Sequence, residues 1–235
     1  MSDAVRQAED TVGRLYSALR RMAADFEFRP SARVNESRIA LQLGASRTPL
    51  REALNRLVAE GFLEFRSGQG FFCRDLSPAG IFHLYEARVA IECAALSAAL
   101  ARAGDEEIAA LGAYLDRTEP AYLEATDPVV LLELDEGFHD RLCALSGNPE
   151  FVRMLGNING RIRYVRSVDL RQLRALGTTG GRLSAHRAIL QALERRDGAA
   201  AVATLRAHIE KRRDEATEAV RRAYADIYAP GEEGQ

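Results

Sequence analysis

Several features that would assign this chain to a class at once are rare or absent. Its 235 residues include no Trp, three Met and three Cys. The cysteines, Cys73, Cys93 and Cys143, are odd in number, far apart and outside any Cys-x-x-Cys pair. Neither a disulfide framework nor a thiolate metal site is therefore indicated, and we expect each to be a small buried hydrophobic residue.

Long apolar runs are also missing. No stretch approaches the roughly 20 residues that span a bilayer, and the N-terminus lacks the basic and then apolar pattern of a signal peptide. We therefore expect a cytoplasmic protein with no membrane partner. Lysine is almost absent too, since Lys211 is the single Lys among 32 basic residues. Together with the many Ala residues, this bias indicates a GC-rich genome more than a function.

The balance of charge does not identify a partner either. The formal net charge is −2, although residues 1–75 carry 12 Arg against 10 acidic residues. This is a weak basic footprint, so charge alone does not indicate a nucleic-acid-binding protein. With 47% hydrophobic residues, the chain is long enough for one large or two small domains with real cores.

The stretch from Val34 to Arg74 is the most informative part of the sequence. Its spacing predicts a short helix, a tight turn at Gly44, and a second helix with Ser46 at its N-cap and Pro49 in its first turn. One face of that second helix is apolar and the other polar. The apolar face consists of Leu50, Ala53, Leu54 and Leu57, and the polar face of Thr48, Arg51 and Asn55. Two short strands, Phe62 to Phe65 and Phe71 to Cys73, are predicted to follow as a β-hairpin.

This pattern is that of a helix-turn-helix unit with a two-stranded wing. A recognition helix places its N-terminal residues against base edges, and Arg is the commonest bidentate reader of guanine, so Arg47 and Arg51 are candidates for base contacts. Thr48 shares the exposed face with Arg51. Arg38 is better placed for a phosphate, and Gly70 would let the wing backbone approach DNA closely. The alternative is that Arg is simply abundant and that this helix is an ordinary solvated surface.

Four runs within this stretch carry a family resemblance. They are Asn35 to Ala40, Leu43 to Leu54, Leu57 to Leu63 and Gly68 to Gly70, with SRTPLREAL at the centre. Together they resemble the winged helix-turn-helix of the GntR family of bacterial transcription regulators. The resemblance implies that Arg38, Arg47, Arg51 and Gly70 contact operator DNA. One departure is Ser31, which stands where the family usually has Gly after Pro, and it affects only the local turn.

Beyond the wing, almost the whole sequence has a helical period. A break near Asp75 to Pro78 predicts a DNA-binding domain over residues 1–75 and an all-helical domain over residues 78–228. The predicted fold class is mainly α: three helices with a small β-wing, then an all-α bundle of six or seven helices. The tail from Pro230 is predicted to fray. The predicted bundle helices are Ala79–Ala103, Glu106–Leu123, Pro128–Leu145, Pro149–Leu170, Gly181–Arg195 and Gly198–Tyr228.

All four histidines belong to the predicted bundle, and three of them are oddly placed. Asp135 and His139 stand at i and i+4 beside the apolar ridge of the third bundle helix, so both point partly inward. His186 lies in the middle of the apolar stripe of the next-to-last helix, and His208 flanks an apolar position of the last. His83 lies outside this set and is predicted to be an ordinary helix residue.

A bundle that aims one carboxylate and three imidazoles inward must satisfy their polarity, and a divalent metal does so at once. Three imidazole nitrogens and one carboxylate suit Zn, Ni, Mn or Fe. Taken singly, each residue has a simpler explanation: a surface pair at i and i+4, or a core histidine with a satisfied hydrogen bond. Their convergence on one core favours the metal site.

A second resemblance covers this part of the chain. Its runs are Leu134 to His139, Leu145 to Pro149, Ala185 to Ile189 and Arg206 to Ile209, and they are similar to the FCD ligand-binding domain of the FadR subfamily of GntR regulators. The resemblance implies a metal on one Asp and three His, which map to Asp135, His139, His186 and His208. Ala185 stands where the family usually has Glu, which is not a change of ligand.

The same resemblance singles out Arg88 as an effector-binding residue. It matches the Arg of the first FCD helix that pairs with effector carboxylates in the family, for which bidentate pairing of guanidinium and carboxylate is the physical reason. The alternative is a surface salt bridge with Glu92 at i+4. Arg161 and Arg163 are weaker candidates for the same cavity. An Asp and three His leave coordination positions open, so a small carboxylate could bind such a metal directly.

These observations predict a homodimeric transcription regulator, a repressor rather than an activator. Its winged domains would bind the half-sites of an operator, and a metal-held organic acid would modulate that binding. Two alternatives stay open: the metal itself is the signal, or the metal activates water in an enzyme. We predict no enzyme, because Glu136, the nearest carboxylate in sequence, points about 100° away from Asp135 on the helix.

Overall fold

The computed structural model describes residues 3–177 and 180–229, and their side chains from residue 11 onwards except at 180–182. Two compact units make up this part of the chain. One runs to Leu76 and also includes the chain from Ile227, and the other runs from Ser77 to Asp226. The predicted fraying from Pro230 falls outside the described residues.

Residues 3–76 of the first unit form three helices and a β-hairpin. In order these are α1 (Asp3–Ala24), α2 (Glu36–Gln42), α3 (Arg47–Ala59), β1 (Leu63–Arg66) and β2 (Gly70–Cys73). The two strands are antiparallel, with Leu63 opposite Cys73 and Arg66 opposite Gly70. The predicted winged helix-turn-helix is therefore confirmed, with the first strand one residue later than expected.

Local signals explain why the chain turns between α2 and α3. The side chain of Asn35 caps α2 by accepting a hydrogen bond from the backbone N–H of Arg38 at 3.0 Å. Gly44 has a φ of +60°, a left-handed conformation that costs glycine little, so the predicted turn is present. Ser46 occupies the N-cap position of α3 as predicted, but its hydroxyl makes no capping hydrogen bond.

The core of the first unit lies between α1, α3 and the hairpin. The predicted apolar face of α3 is fully buried, as is the stripe of α1 that packs on it. The buried residues are Leu50, Ala53, Leu54 and Leu57 on α3 and Val12, Leu15, Leu19 and Met22 on α1. Full burial of each Leu stabilises the unit by about 1.5–3 kcal/mol. This core leaves the opposite face of α3 in solvent.

The second unit is built from six helices in the described part of the chain. They are α4 (Pro78–Arg102), α5 (Asp105–Glu124), α6 (Pro128–Ala144), α7 (Pro149–Ala175), α8 (Gly180–Glu194) and α9 (Gly198–Tyr228). The mainly helical fold class is thus confirmed. Helix α7 extends five residues beyond its predicted end, because Arg171 to Ala175 are good helix formers and the next breaker is Gly177. No helix in the described ranges is both long and apolar enough to cross a bilayer.

Three of these helices begin in the same way. Ser77, Asp127 and Asn148 occupy the N-caps of α4, α6 and α7, and each side chain accepts a backbone N–H of the first turn. A proline follows each cap, where its missing N–H costs nothing. These starts set which residues of α4, α6 and α7 face the core.

Helix α6 is the central element of the second unit. It packs against α4, α5 and α7, while α8 packs against α5. Its buried face includes Leu131, Leu132, Phe138 and Leu142, with Asp135 and His139 between them. Two polar side chains are thereby held inside an otherwise apolar core.

The cysteines behave as predicted. All three carry free thiols and are buried. Burial raises the pKa of the Cys73 thiol to about 11 and that of Cys143 to about 12, so both are protonated at neutral pH.

Candidate metal centre and nucleic-acid interface

Four side chains from three helices of the second unit converge on one point. Asp135 and His139 come from α6, His186 from α8 and His208 from α9. Each offers one ligand atom, and these atoms all lie within 4.8 Å of one another. Asp135, His139 and His186 are buried and His208 is half-buried. The structure thus brings together all four residues that the sequence singled out for a metal.

The three imidazoles pack against each other and against one phenyl ring. The rings of His139 and His208 are stacked with centroids 5.3 Å apart, and His186 meets His139 edge-on at 5.1 Å. On its other side, His186 stacks on Phe138 at 4.1 Å. The phenyl ring of Phe138 therefore provides an apolar contact that helps to orient the His186 ring.

Glu92 of α4 connects the predicted effector arginine to a predicted metal ligand. Its Oε1 accepts a hydrogen bond from Nε of Arg88 at 2.5 Å, and its Oε2 lies 2.6 Å from Nδ1 of His139. Burial alone would raise the pKa of the Glu92 carboxyl, but Arg88 and His139 hold this pKa at about 2. The salt bridge weighed as an alternative for Arg88 is present, but it lies in the core rather than on the surface.

A second buried arginine, Arg166 of α7, pairs with two carboxylates of α6. Its Nη2 pairs with Oδ2 of Asp135, and its Nη1 donates to Oε1 of Glu136 at 2.8 Å. Nη1 also lies 3.4 Å from Oδ1 of Asn159. Burial would lower the pKa of this guanidinium, but the two carboxylates raise it above its ordinary value.

Neither Glu92 nor Arg166 was among the residues predicted for this site. Arg166 lies among buried apolar residues of α7, including Ile162 and Val165, so a charged side chain inside a helical apolar stripe was a usable signal. Glu92 was considered only as a surface partner of Arg88.

Two buried polar atoms of this network lack a described hydrogen-bond partner. Nε2 of His139 and Nη2 of Arg88 have no hydrogen-bond partner among the described residues. Such atoms are rare in folded proteins because a buried polar group that is left unmatched costs free energy. Nδ1 of His139 faces Glu92, and Nε2 is the ring nitrogen that has no hydrogen-bond partner among the described residues. An Asp and three His are therefore a fitting donor set for a divalent cation.

The remaining candidates of this domain are His83, Arg161 and Arg163. His83 is exposed, and its ring makes an edge contact with Phe82. Arg163 is held by Glu136 at 3.8 Å and Glu133 at 3.9 Å, and Arg161 is half-buried.

The residues predicted to contact DNA all belong to the first unit. Arg38 at the start of α2 and Arg47, Thr48 and Arg51 at the start of α3 are all exposed. Gly70, at the start of β2, is half-buried and has a φ of +95°, a conformation that a side chain would strain.

The side chain of Arg51, on α3, contacts both α2 and the wing. Its Nη1 lies 3.3 Å from Oε2 of Glu36 on α2, and its guanidinium stands 5.4 Å from the ring centre of Phe71 on β2. These contacts orient the side chain without burying it, since half of its surface remains exposed.

A winged helix-turn-helix with exposed arginines on its second helix, followed by a helical unit with a buried cluster of one Asp and three His, is typical of DNA-binding transcription regulators with a separate C-terminal domain. A model of the bacterial regulatory proteins of the gntR family matches residues 11–73, and a model of the FCD domain matches residues 83–211. The chain belongs to the GntR family of transcription regulators, in the FadR-like subfamily with a C-terminal FCD domain.

Similar proteins are transcription regulators, not enzymes. The chain is 40% identical over 208 residues to the Nta operon transcriptional regulator of Aminobacter aminovorans, covering 88% of this chain and 95% of that protein. It is 25% identical over 197 residues to the transcriptional repressor RspR of Escherichia coli K12, covering 84% and 85% of the two chains. The metal-dependent enzyme weighed as an alternative is therefore set aside.

Solved structures share the fold. A GntR regulator from Rhodococcus sp. RHA1 superimposes with a TM-score of 0.66 at 24% identity, over 88% of this chain and 97% of that one. McbR/YncC of E. coli superimposes with a TM-score of 0.65 at 21% identity, over 93% and 97%.

Proposed function

We propose that this chain is a repressor whose affinity for its operator is modulated by a small carboxylate bound beside a metal ion in the helical unit. One observation carries the proposal. The unmatched Nη2 of Arg88 and the unmatched Nε2 of His139 belong to side chains that the same carboxylate, Glu92, holds in place. Glu92 thus joins, in one buried network, a guanidinium that could pair with an acid and an imidazole that could bind a metal.

The metal part of the proposal concerns the set Asp135, His139, His186 and His208. These residues would hold one Zn, Ni, Mn or Fe ion, and Arg166 would keep Asp135 oriented. When bound, such an ion supplies a positive charge and open coordination positions for a carboxylate. The pairing of Arg88 with the same acid would add charge-assisted hydrogen bonds through Nη2.

The DNA part rests on the exposed arginines of the winged unit. Arg47, Thr48 and Arg51 would face base edges in the major groove, Arg38 a phosphate, and the wing at Gly70 the adjacent backbone. We propose a homodimer, because two copies related by a twofold axis match the half-sites of a palindromic operator. The name of RspR, a repressor, supports the same direction of regulation for this chain.

Coupling between the two sites requires that the acid bind the DNA-competent and released arrangements with different affinities. Helix α4 is suited to this role by its place in the sequence. It starts directly after the winged unit, at Pro78, and carries both Arg88 and Glu92.

A thermal-shift screen of small carboxylates tests this proposal. The screen uses protein loaded with each of the four metals and is repeated after chelation with EDTA. We expect at least one acid to raise the Tm only when metal is present, and to change binding of a fluorescent DNA fragment from the chain's own upstream region. If metal alone changes DNA affinity and every acid is without effect, the metal is the signal and the acid part of the proposal is wrong.

A further inference from the structure

We propose that Glu92 is a positioning residue for the metal centre: it fixes the ring proton of His139 on Nδ1 and thereby keeps Nε2 as the metal-binding atom. This inference rests on the proposed metal site. It assigns a role to a residue of α4 that donates no atom to the set of four.

The geometry around Glu92 determines which of its hydrogen-bond partners must donate. Its side chain is 1% exposed, and its two oxygens face two different partners at 2.5 and 2.6 Å. Nε of Arg88 can only donate, so Oε1 must accept. The Glu92 carboxylate is ionised beside a guanidinium, so Oε2 also accepts a hydrogen bond. The proton of the hydrogen bond between Oε2 and Nδ1 must therefore be carried by Nδ1 of His139.

The consequence for the metal follows from the two tautomers of imidazole. A neutral ring carries one proton, so a proton on Nδ1 leaves the lone pair of Nε2 exposed to an ion. A carboxylate behind a metal-bound histidine also orients the ring and raises its basicity, and loss of such a partner lowers metal affinity by about 10–100-fold. The absence of a hydrogen-bond partner for Nε2 within the described ranges agrees with this arrangement.

The substitution Glu92→Gln separates this role from simple space filling. The amide has nearly the shape of the carboxylate, but its ends differ. Because Arg88 needs an acceptor, the carbonyl oxygen of Gln would face Nε, and the amide NH₂ would face Nδ1 of His139. Nδ1 would then have to accept, and the ring proton would move to Nε2, where it blocks the metal.

Nitrogen NMR of protein labelled with ¹⁵N-histidine reads this tautomer directly, in EDTA and at a pH where the rings are neutral. A His139→Gln variant identifies the signal of His139 among the four histidines. We expect the Nδ1–H tautomer in the unmodified protein and the Nε2–H tautomer in Glu92→Gln. Calorimetric titration with Zn²⁺ should show affinity about 10–100-fold weaker in Glu92→Gln. Glu86→Gln, an exposed position of the same helix, is the matched control and should change neither quantity.

The outcomes separate this inference from the proposed function. An Nε2–H tautomer of His139 in the unmodified protein would overturn the inference, and this measurement needs no variant to fold. An unchanged tautomer and Zn²⁺ affinity in Glu92→Gln would do the same while leaving the metal site intact. If the unmodified protein binds none of the four metals, the metal site itself is wrong, whichever tautomer is seen.

Discussion

Arg51 in the winged unit and Arg166 in the helical unit use the same side chain in opposite ways. Half of the Arg51 side chain is exposed, and a single carboxylate, that of Glu36, pairs with it at 3.3 Å. The Arg166 side chain is 2% exposed and sits between the carboxylates of Asp135 and Glu136. One guanidinium is presented to solvent, and the other is enclosed by its countercharges.

The difference shows in which unit a charged side chain can exchange one partner for another. An exposed ion pair contributes only about 0–1 kcal/mol, so Arg51 could leave Glu36 for a base or a phosphate at little cost to folding. Removal of one partner from a buried pair costs about 3–5 kcal/mol, because the remaining charge is stranded in the core. The winged unit is thus suited to temporary contacts and the helical unit to a permanent site.

The largest expected effect concerns the buried charge. In EDTA, Arg166→Met should lower the free energy of unfolding by about 3–5 kcal/mol, because Asp135 and Glu136 lose the buried guanidinium that pairs with both. Urea unfolding followed by circular dichroism measures this loss. Arg51→Met is the matched control, with an expected change below about 1 kcal/mol. Equal losses in the two variants would show that the exposed and the buried arginine stabilise the fold to the same extent.

Removal of a proposed metal ligand should affect one unit and leave the function of the other unchanged. His186→Ala should weaken binding of Zn²⁺ by more than roughly 100-fold, beyond the loss expected for an outer partner, and should abolish the response to an acid. DNA affinity should stay unchanged, since the arginines of the winged unit are untouched. His83→Ala, at the exposed histidine, is the control. Stoichiometric metal in His186→Ala would show that the site is assigned wrongly.

The recognition helix provides the complementary test. Arg51→Ala should weaken operator binding by about 10–100-fold, equivalent to 1–3 kcal/mol for a bidentate base contact. Fluorescence anisotropy with the upstream DNA fragment measures the affinity, and circular dichroism checks that the helices are intact. Arg56→Ala, an exposed residue of the same helix that pairs with Glu52, should have far less effect. Undiminished binding by the Arg51 variant would remove this assignment of the recognition face.

The smallest effect is expected for the partner of Arg51. Glu36→Gln removes an exposed ion pair and should change the free energy of unfolding by less than about 1 kcal/mol. A loss as large as that expected for Arg166→Met would mean that Arg51 is held as firmly as a buried arginine.

Much of the first unit could be predicted because its signals are local. The turn at Gly44, the proline in the first turn of α3 and the spacing of apolar residues on that helix all act within a few residues of chain. The same helical period placed His186 and the pair Asp135 and His139 on the inner faces of their helices. Two details of this unit differ from the prediction: the hydroxyl of Ser46 makes no capping bond, and the first strand begins one residue later.

The partners of Glu92 and Arg166 in the candidate metal centre were beyond local reasoning. Glu92 and His139 are 47 residues apart in sequence, and Arg166 and Asp135 are 31 apart. Whether two such side chains meet depends on how α4, α6 and α7 pack. From the sequence, Glu92 was therefore interpreted as a surface partner of Arg88, and Arg166 was not singled out among the arginines.

By itself, the sequence determined which faces of each helix are apolar, where the helices begin, and which types of ligand point inward, since these follow from a repeat of 3.6 residues and from short-range hydrogen bonds. The tertiary structure alone decided which countercharge each buried group receives. That choice depends on distances of a few ångströms between helices that are far apart in the chain, and in a core of low dielectric it determines which charges can be buried at all.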